Sequence, residues 1–211
     1  MLYRNIELTF KLFKLMTNKI IALDIGNVCF RIDKNAWLDK LDVDPVHFLR
    51  KKLNSKKIDM ELGIISQDEF LTSVNELTNN RLKYNELISI YCSVLETEIF
   101  GMNELVSDLV NSGYKIMFFS DISSLHKNEV YSRLSFANLI IGGVYSYKVG
   151  AFKPDIKMFN EFEKRYGKPQ IYIDDLENNC SGAVEYGWDV HCFVSAENCR
   201  KELLQKKLLH N

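Results

Sequence analysis

The chain has 211 residues, room for one medium-sized domain carrying an insertion. Its 27 lysines and arginines against 28 aspartates and glutamates leave a formal net charge of −1, so neither nucleic acid nor an anionic membrane is an electrostatic partner. Five cysteines and four histidines are scattered without disulfide-framework or zinc-ligand spacing, the usage of reduced thiols in a cytoplasmic protein, and no apolar run approaches the roughly 20 residues that span a bilayer.

Residues 1–18 mix apolar side chains with Arg4, Glu7, Lys11 and Lys14, which breaks the unbroken apolar core of a signal peptide. They read as an N-terminal extension: an amphipathic helix, a disordered arm, or a stretch ahead of a natural start at Met16. The first strand follows in "KIIALDIGNVCF", where an apolar run ends on Asp24 with Gly26 two residues later.

Between residues 33 and 100 the pattern is helical, with no convincing strand. "SQDEFLTSVNELTNN" opens with Ser66 and Glu69 at capping-box spacing, and "KYNELISIYCSVLE" carries apolar residues at helical intervals. Beyond residue 100, strand-like and helix-like segments alternate. "NELVSDLVNSG" is a helix with Asn103 as N-cap and Gly113 as stop, and "YKIMFFS" is a strand ending at Ser120. "SSLHKNEVYSRLSF" is a helix and "LIIGGVYSY" a strand. "PDIKMFNEFEKRYG" is a helix opened by Pro154 and closed by Gly167. "IYIDD" is a strand ending on Asp174 and Asp175, "NNCSGAVEYG" a helix, and "WDVHCFV" a last strand. The expectation is an α/β, Rossmann-like parallel sheet with helices on both faces, built from residues 19–32 and 101–211, with an all-helical module inserted at 33–100.

Ligands of parallel sheets bind beyond the carboxyl ends of the strands. Polar groups stand at three such ends: Asp24, Ser120 and the Asp174–Asp175 pair. Lys153 precedes a helix in "VGAFKPD". Each alone is commonly a cap, a turn residue or a solvated charge; the ordered set of four is the signal.

In that order and spacing these residues resemble the four motifs of the haloacid dehalogenase (HAD) superfamily of hydrolases, from about Lys19 to Val194, with the insert where a first-position helical cap sits. The "DIGNV" form resembles the sugar-phosphate phosphatase branch. The resemblance implies an aspartyl-phosphate formed on Asp24, with Mg2+ held by Asp24, Asp175, the Gly26 carbonyl and, through water, Asp174. It implies that Ser120 and Lys153 are catalytic and bind substrate, together with Asn27, Asp121 and amide groups of the helix after Ser120. Asn179 supports the metal shell or caps a helix. The substrate would be a small phosphorylated metabolite, and oligomeric state stays open.

Position 26 departs from the pattern. Most phosphatases of the superfamily carry a second aspartate there as general acid, and general acid–base help is worth about 10²–10⁴ in rate. Three readings follow: a phosphatase for substrates with good leaving groups, its proton supplied by water, Asp33 or a residue of the insert; a metal-free 2-haloacid dehalogenase; or a weakly catalytic phosphate binder with a regulatory or structural role. Phe30, Trp37 and Tyr91 are aromatic candidates for substrate contact, with core packing the favoured reading of each.

Overall fold

The computed structural model describes residues 19–41 and 47–210; the N-terminal extension at 1–18 lies outside the described residues. Seven strands are formed: β1 (Ile20–Leu23), β2 (Phe30–Ile32), β3 (Leu95–Glu98), β4 (Lys115–Ser120), β5 (Ile140–Tyr145), β6 (Ile171–Asp174) and β7 (Val190–Cys192). Five of them make a parallel sheet in the order β5-β4-β1-β6-β7. The chain adds β4 and β5 on one side of β1, then crosses to add β6 and β7 on the other. That reversal makes the carboxyl end of β1 the switch point of the sheet.

The central strands β4, β1 and β6 are buried on both faces, as their continuous apolar runs demand. Side chains alternate strictly: Ile21, Leu23, Ile116, Phe118, Ile171 and Ile173 enter one core, while Ile20, Ala22, Met117, Phe119 and Tyr172 enter the other. The second core is closed by α8 (Ile156–Tyr166) and α9 (Glu177–Tyr186), through Met158, Phe159, Phe162 and Ala183. The first is closed by α5 (Met102–Asn111) and α10 (Ala196–Gln205). Two further helices, α6 (Ser124–Arg133) and the short α7 (Ser146–Val149), follow β4 and β5.

The insert holds α1 (Ala36–Lys40), α2 (His47–Glu61), α3 (Gln67–Leu77) and α4 (Tyr84–Cys92). Its capping box is present: the Glu69 amide donates to Ser66 Oγ (3.1 Å) and the Ser66 amide to Glu69 Oε2 (2.7 Å). Trp37, Phe70 and Tyr91 pack as a triad with centroids 4.9–6.1 Å apart. Phe70 is fully buried, a burial worth on the order of 2–3 kcal/mol. These residues join the sheet's first core in one continuous cluster.

Several expectations need correction. The 33–100 segment is not wholly helical: β3 pairs antiparallel with β2, Ile32 opposite Leu95 and Phe30 opposite Glu98. "LETE" buries only Leu95, so it lacks the apolar alternation that reveals a strand. The helix at 102 is preceded by Gly101 in the left-handed region (φ 84°), not capped by Asn103, which lies inside it. Pro154 does not open α8; Asp155 caps it by accepting from the Lys157 amide (2.8 Å). Helix α10, with Ser195 as its cap, follows the last strand and had no counterpart in the sequence reading. The favoured packing reading of Phe30, Trp37 and Tyr91 holds: all three are buried and none lines the cavity described below. Among the described residues, no helix is long and apolar enough to cross a membrane.

Candidate active site

Strand register builds the site. Leu23 lies opposite Phe118 of β4 and Ile173 of β6, so the next row brings Asp24, Phe119 and Asp174 level with one another. The Asp24 amide donates to the Ile173 carbonyl (2.9 Å), extending the ladder past the end of β1. Lys153, from the loop between α7 and α8, reaches into this row. Its ammonium donates to Asp24 Oδ1 (2.8 Å), Asp174 Oδ2 (2.6 Å) and the Phe119 carbonyl (2.9 Å). Three N–H bonds thus meet three acceptors from three strands. The side chain is 1 % exposed, and the rings of Phe119 and Tyr172 flank the ammonium at 5.6 and 5.5 Å.

Burial opposes charge on every member of this group, and the outcomes differ. At Lys153 burial pulls the pKa down, but the Asp24 charge and its neighbours prevail and hold it well above the usual value. At Asp24 burial outweighs the pull of Lys153, while Asp174 adds to the rise; the carboxyl is pushed up to about 7. At Asp174 burial is outweighed by the Lys153 charge and by hydrogen bonds from Lys153, Tyr172 and Leu176, so its pKa is lowered.

The two adjacent aspartates have different surroundings. Asp174 is fully buried and accepts from Lys153, the Tyr172 hydroxyl, the Leu176 amide (2.8 Å) and the Asn179 amide (3.1 and 3.2 Å). Asp175 is half-buried, faces the cavity and accepts from Asn27 Nδ2 (3.1 Å). Asn27 sits in the left-handed region (φ 50°) and its Oδ1 accepts from the Ile32 amide (3.1 Å), which ties the loop after β1 to the loop after β6. Burial raises the Asp175 pKa. One oxygen from each of Asp24, Asp174 and Asp175 lies within 4.8 Å of the others. This clustering of hard carboxylate oxygens fits a hard divalent cation. With both Asp174 oxygens engaged, Asp24 and Asp175 are the carboxylates available to such an ion.

Asp24, Gly26, Asn27, Ser120, Asp121, Lys153, Asp175 and Asn179 all line one cavity of about 250 Å³. Asp174 lies behind them. Ser120 is buried at the end of β4, where its hydroxyl helps to stabilise the Asp24 carboxylate. Asp121 accepts from the Lys153 amide with both oxygens (3.0 and 3.2 Å); it stays open to solvent at the cavity mouth, yet burial of the carboxyl among its neighbours raises its pKa to about 6. Two amides of the segment after Ser120 are already engaged, Ile122 with Ser146 Oγ (3.0 Å) and His126 with Ser123 Oγ (3.2 Å).

Residues outside the four motifs also line the cavity: Lys34, Lys57 and Glu61 from the insert and His126 from α6. Lys57 and Glu61 are four apart on α2 and so share a face. Their spacing was readable, but periodicity alone does not say which surface that face covers. His126 stacks on Tyr91 (centroids 4.2 Å), its Nε2 meets the Tyr91 carbonyl (3.1 Å), and burial lowers its pKa to about 4.

Gly26 is a free choice of side chain rather than a backbone necessity. A Cβ there would sit 3.5 Å from Ile32 Cγ1 and 4.0 Å from Asp24 Oδ2, ordinary contact distances. Asp33, a candidate to replace the missing acid, lies outside the cavity lining and accepts from the Asn35 amide (2.9 Å) in a local turn.

No protein-family model matches the sequence, and no curated protein does. Solved structures do match the fold. A HAD family enzyme from Bacteroides thetaiotaomicron superposes with a TM-score of 0.76 at 18% identity, over 88% of this chain and 98% of the other. A predicted HAD-like family hydrolase from Porphyromonas gingivalis gives 0.73 at 19% identity, over 90% and 98%. The L-2-haloacid dehalogenase from Xanthobacter autotrophicus gives 0.57 at 13% identity, over 92% and 85%. The chain therefore has the α/β fold of HAD-family enzymes.

Proposed function

We propose that the protein is a Mg2+-dependent phosphomonoesterase acting on a small phosphorylated metabolite of the sugar-phosphate kind, through an aspartyl-phosphate on Asp24, in the cytoplasm. One observation carries this reading: Asp24 stands at the floor of a small cavity, bonded to the buried ammonium of Lys153, with Asp175 beside it. In support, the Bacteroides enzyme has been solved in complex with magnesium and inorganic phosphate.

Mg2+, held by Asp24 and Asp175 with the Gly26 carbonyl, would neutralise the repulsion between the attacking carboxylate and the phosphate dianion. Lys153, fixed by Asp174 and Phe119, provides a positive charge that need not reorganise as charge develops on the phosphoryl oxygens. The Ser120 hydroxyl donates to one of those oxygens. Asn27 orients Asp175, and Asp121 holds the Lys153 backbone. A cavity of about 250 Å³, lined in part by the insert, suits a small molecule better than a phosphoprotein loop. Residues 33–100 serve as the cap domain over a core made of 19–32 and 101–211.

The test is turnover of p-nitrophenyl phosphate and of a panel of sugar phosphates with and without Mg2+. Mg2+-stimulated phosphate release is expected. Its absence on every ester sinks the reading in favour of a phosphate-binding role. A second reading, 2-haloacid dehalogenase, is favoured by Gly26 and by the shared fold. Metal-independent halide release from 2-chloropropionate would establish it. The Asp174–Asp175 pair speaks against it, since a metal-free site gains nothing from two adjacent carboxylates.

A further inference from the structure

Among the described residues, four carboxylates line the cavity: Asp24, Glu61, Asp121 and Asp175. Three are committed on the floor. Asp24 is bound by Lys153, Asp175 by Asn27, and Asp121 spends both oxygens on the Lys153 amide. Glu61 comes from the insert, at the last residue of α2. Its side chain is 15 % exposed, and its polar contacts are long: Lys57 Nζ at 3.3 Å and the Tyr91 hydroxyl at 3.5 Å, both to Oε1. Its backbone is fixed to the core by Ser146 Oγ, which donates to the Glu61 carbonyl (2.8 Å).

We propose that Glu61 is the general acid of the reaction, protonating the leaving-group oxygen from the insert and so filling the role that Gly26 lacks. The inference rests on the phosphomonoesterase reading. As the bond from Asp24 to phosphorus forms and the ester P–O bond breaks, the Glu61 carboxyl proton passes to the departing oxygen, giving the free alcohol and a Glu61 carboxylate. Water then enters where the alcohol left. Glu61 takes its proton while the water oxygen bonds to phosphorus, and the bond to Asp24 breaks to release phosphate. Burial raises the Glu61 pKa, which keeps the proton available. The groups facing it are Lys57 on its own helix, Lys34 before α1, Tyr91 on α4, neutral His126 on α6 and Asp121 after β4. The two lysines oppose the rise without cancelling it.

The experiment compares first-turnover release of p-nitrophenol from p-nitrophenyl phosphate with that of alcohol from an alkyl phosphate, in Mg2+, for the wild type and Glu61→Gln. The alkyl ester needs a proton on its leaving oxygen and the nitrophenyl ester hardly does. The variant is therefore expected to lose about 10²-fold or more on the alkyl ester and less than about 10-fold on the aryl ester. The fall in the wild-type alkyl rate at high pH should vanish in Glu61→Gln, and Glu61→Asp should restore part of the rate. Equal losses on both esters, or none, overturn the assignment, as does a selective alkyl loss in Asp121→Asn with Glu61→Gln unaffected. A wild type that cleaves neither ester refutes the phosphomonoesterase reading itself, whereas an active wild type with an indifferent Glu61 refutes only this inference.

Discussion

The floor and the roof of the cavity are built by different rules. On the floor, Lys153 bridges Asp24, Asp174 and the Phe119 carbonyl, and each partner is set by strand register. On the roof, Lys34, Lys57 and Glu61 hang from a turn and a helix face, and the Lys57–Glu61 pair is 3.3 Å apart. The floor is over-determined and fixes the chemistry. The roof is loosely determined; on the proposed reading the leaving group meets it, so the roof would change with substrate while the floor would not.

The sharpest way to break this contrast is Asp24→Asn. Turnover should disappear while circular dichroism and the unfolding midpoint stay near those of the wild type. An active variant would remove Asp24 as nucleophile and the floor with it. Lys153→Met comes next: two buried carboxylates lose their shared cation, and removing one member of a buried ionic group costs about 3–5 kcal/mol. Chemical denaturation should show that loss together with the loss of activity. A stable Lys153→Met protein would mean that the floor is less tightly coupled than its geometry indicates.

The seam between roof and core is tested by pH. His126 has its pKa lowered to about 4 from an ordinary 6.5, so the unfolded chain binds more protons than the folded one as pH falls through that interval. Its contribution is full above pH 6.5 and is lost between 6.5 and 4, by up to about 3 kcal/mol. The raised carboxyls of Asp24, Glu61 and Asp121 act in the opposite sense, gaining stability on acidification, so the measurement is the difference between the wild type and His126→Gln. Parallel pH–stability curves would place the destabilisation elsewhere. The smallest effect is expected for Gly26→Asp. The added Cβ has room, so the fold should hold. With Glu61 already supplying a proton, the gain on alkyl phosphates should fall well short of the full ~10²–10⁴. A gain of that full size would show that the roof supplies no acid.

The same division governs what could be read from the sequence. Asp24, Ser120, Asp174 and Asp175 were legible because each stands at the end of a strand, and a parallel sheet gathers such ends whatever lies between them; Lys153 was legible because it stands just before a helix. The sheet and its covering helices followed from alternating apolar runs and caps. The division of labour within Asp174–Asp175 was not legible, since it depends on Tyr172, Asn179 and the Leu176 amide closing around one of the two. Lys34, Lys57, Glu61 and His126 were missed because their position depends on how the insert docks, which is set by contacts far apart in sequence. Strand β3 was missed because pairing with β2, rather than its own composition, makes it a strand.

The apolar cluster that runs without a break from the sheet into the insert bears on how a substrate gets in. Trp37, Phe70 and Tyr91 belong to the same buried body as Ile21 and Phe118. Lifting the insert as a hinged lid would expose that body to water at a cost proportional to the area uncovered. Entry beside Lys34 and Asp121, which are exposed and line the cavity, would leave that body buried and ask only for rotation of surface side chains.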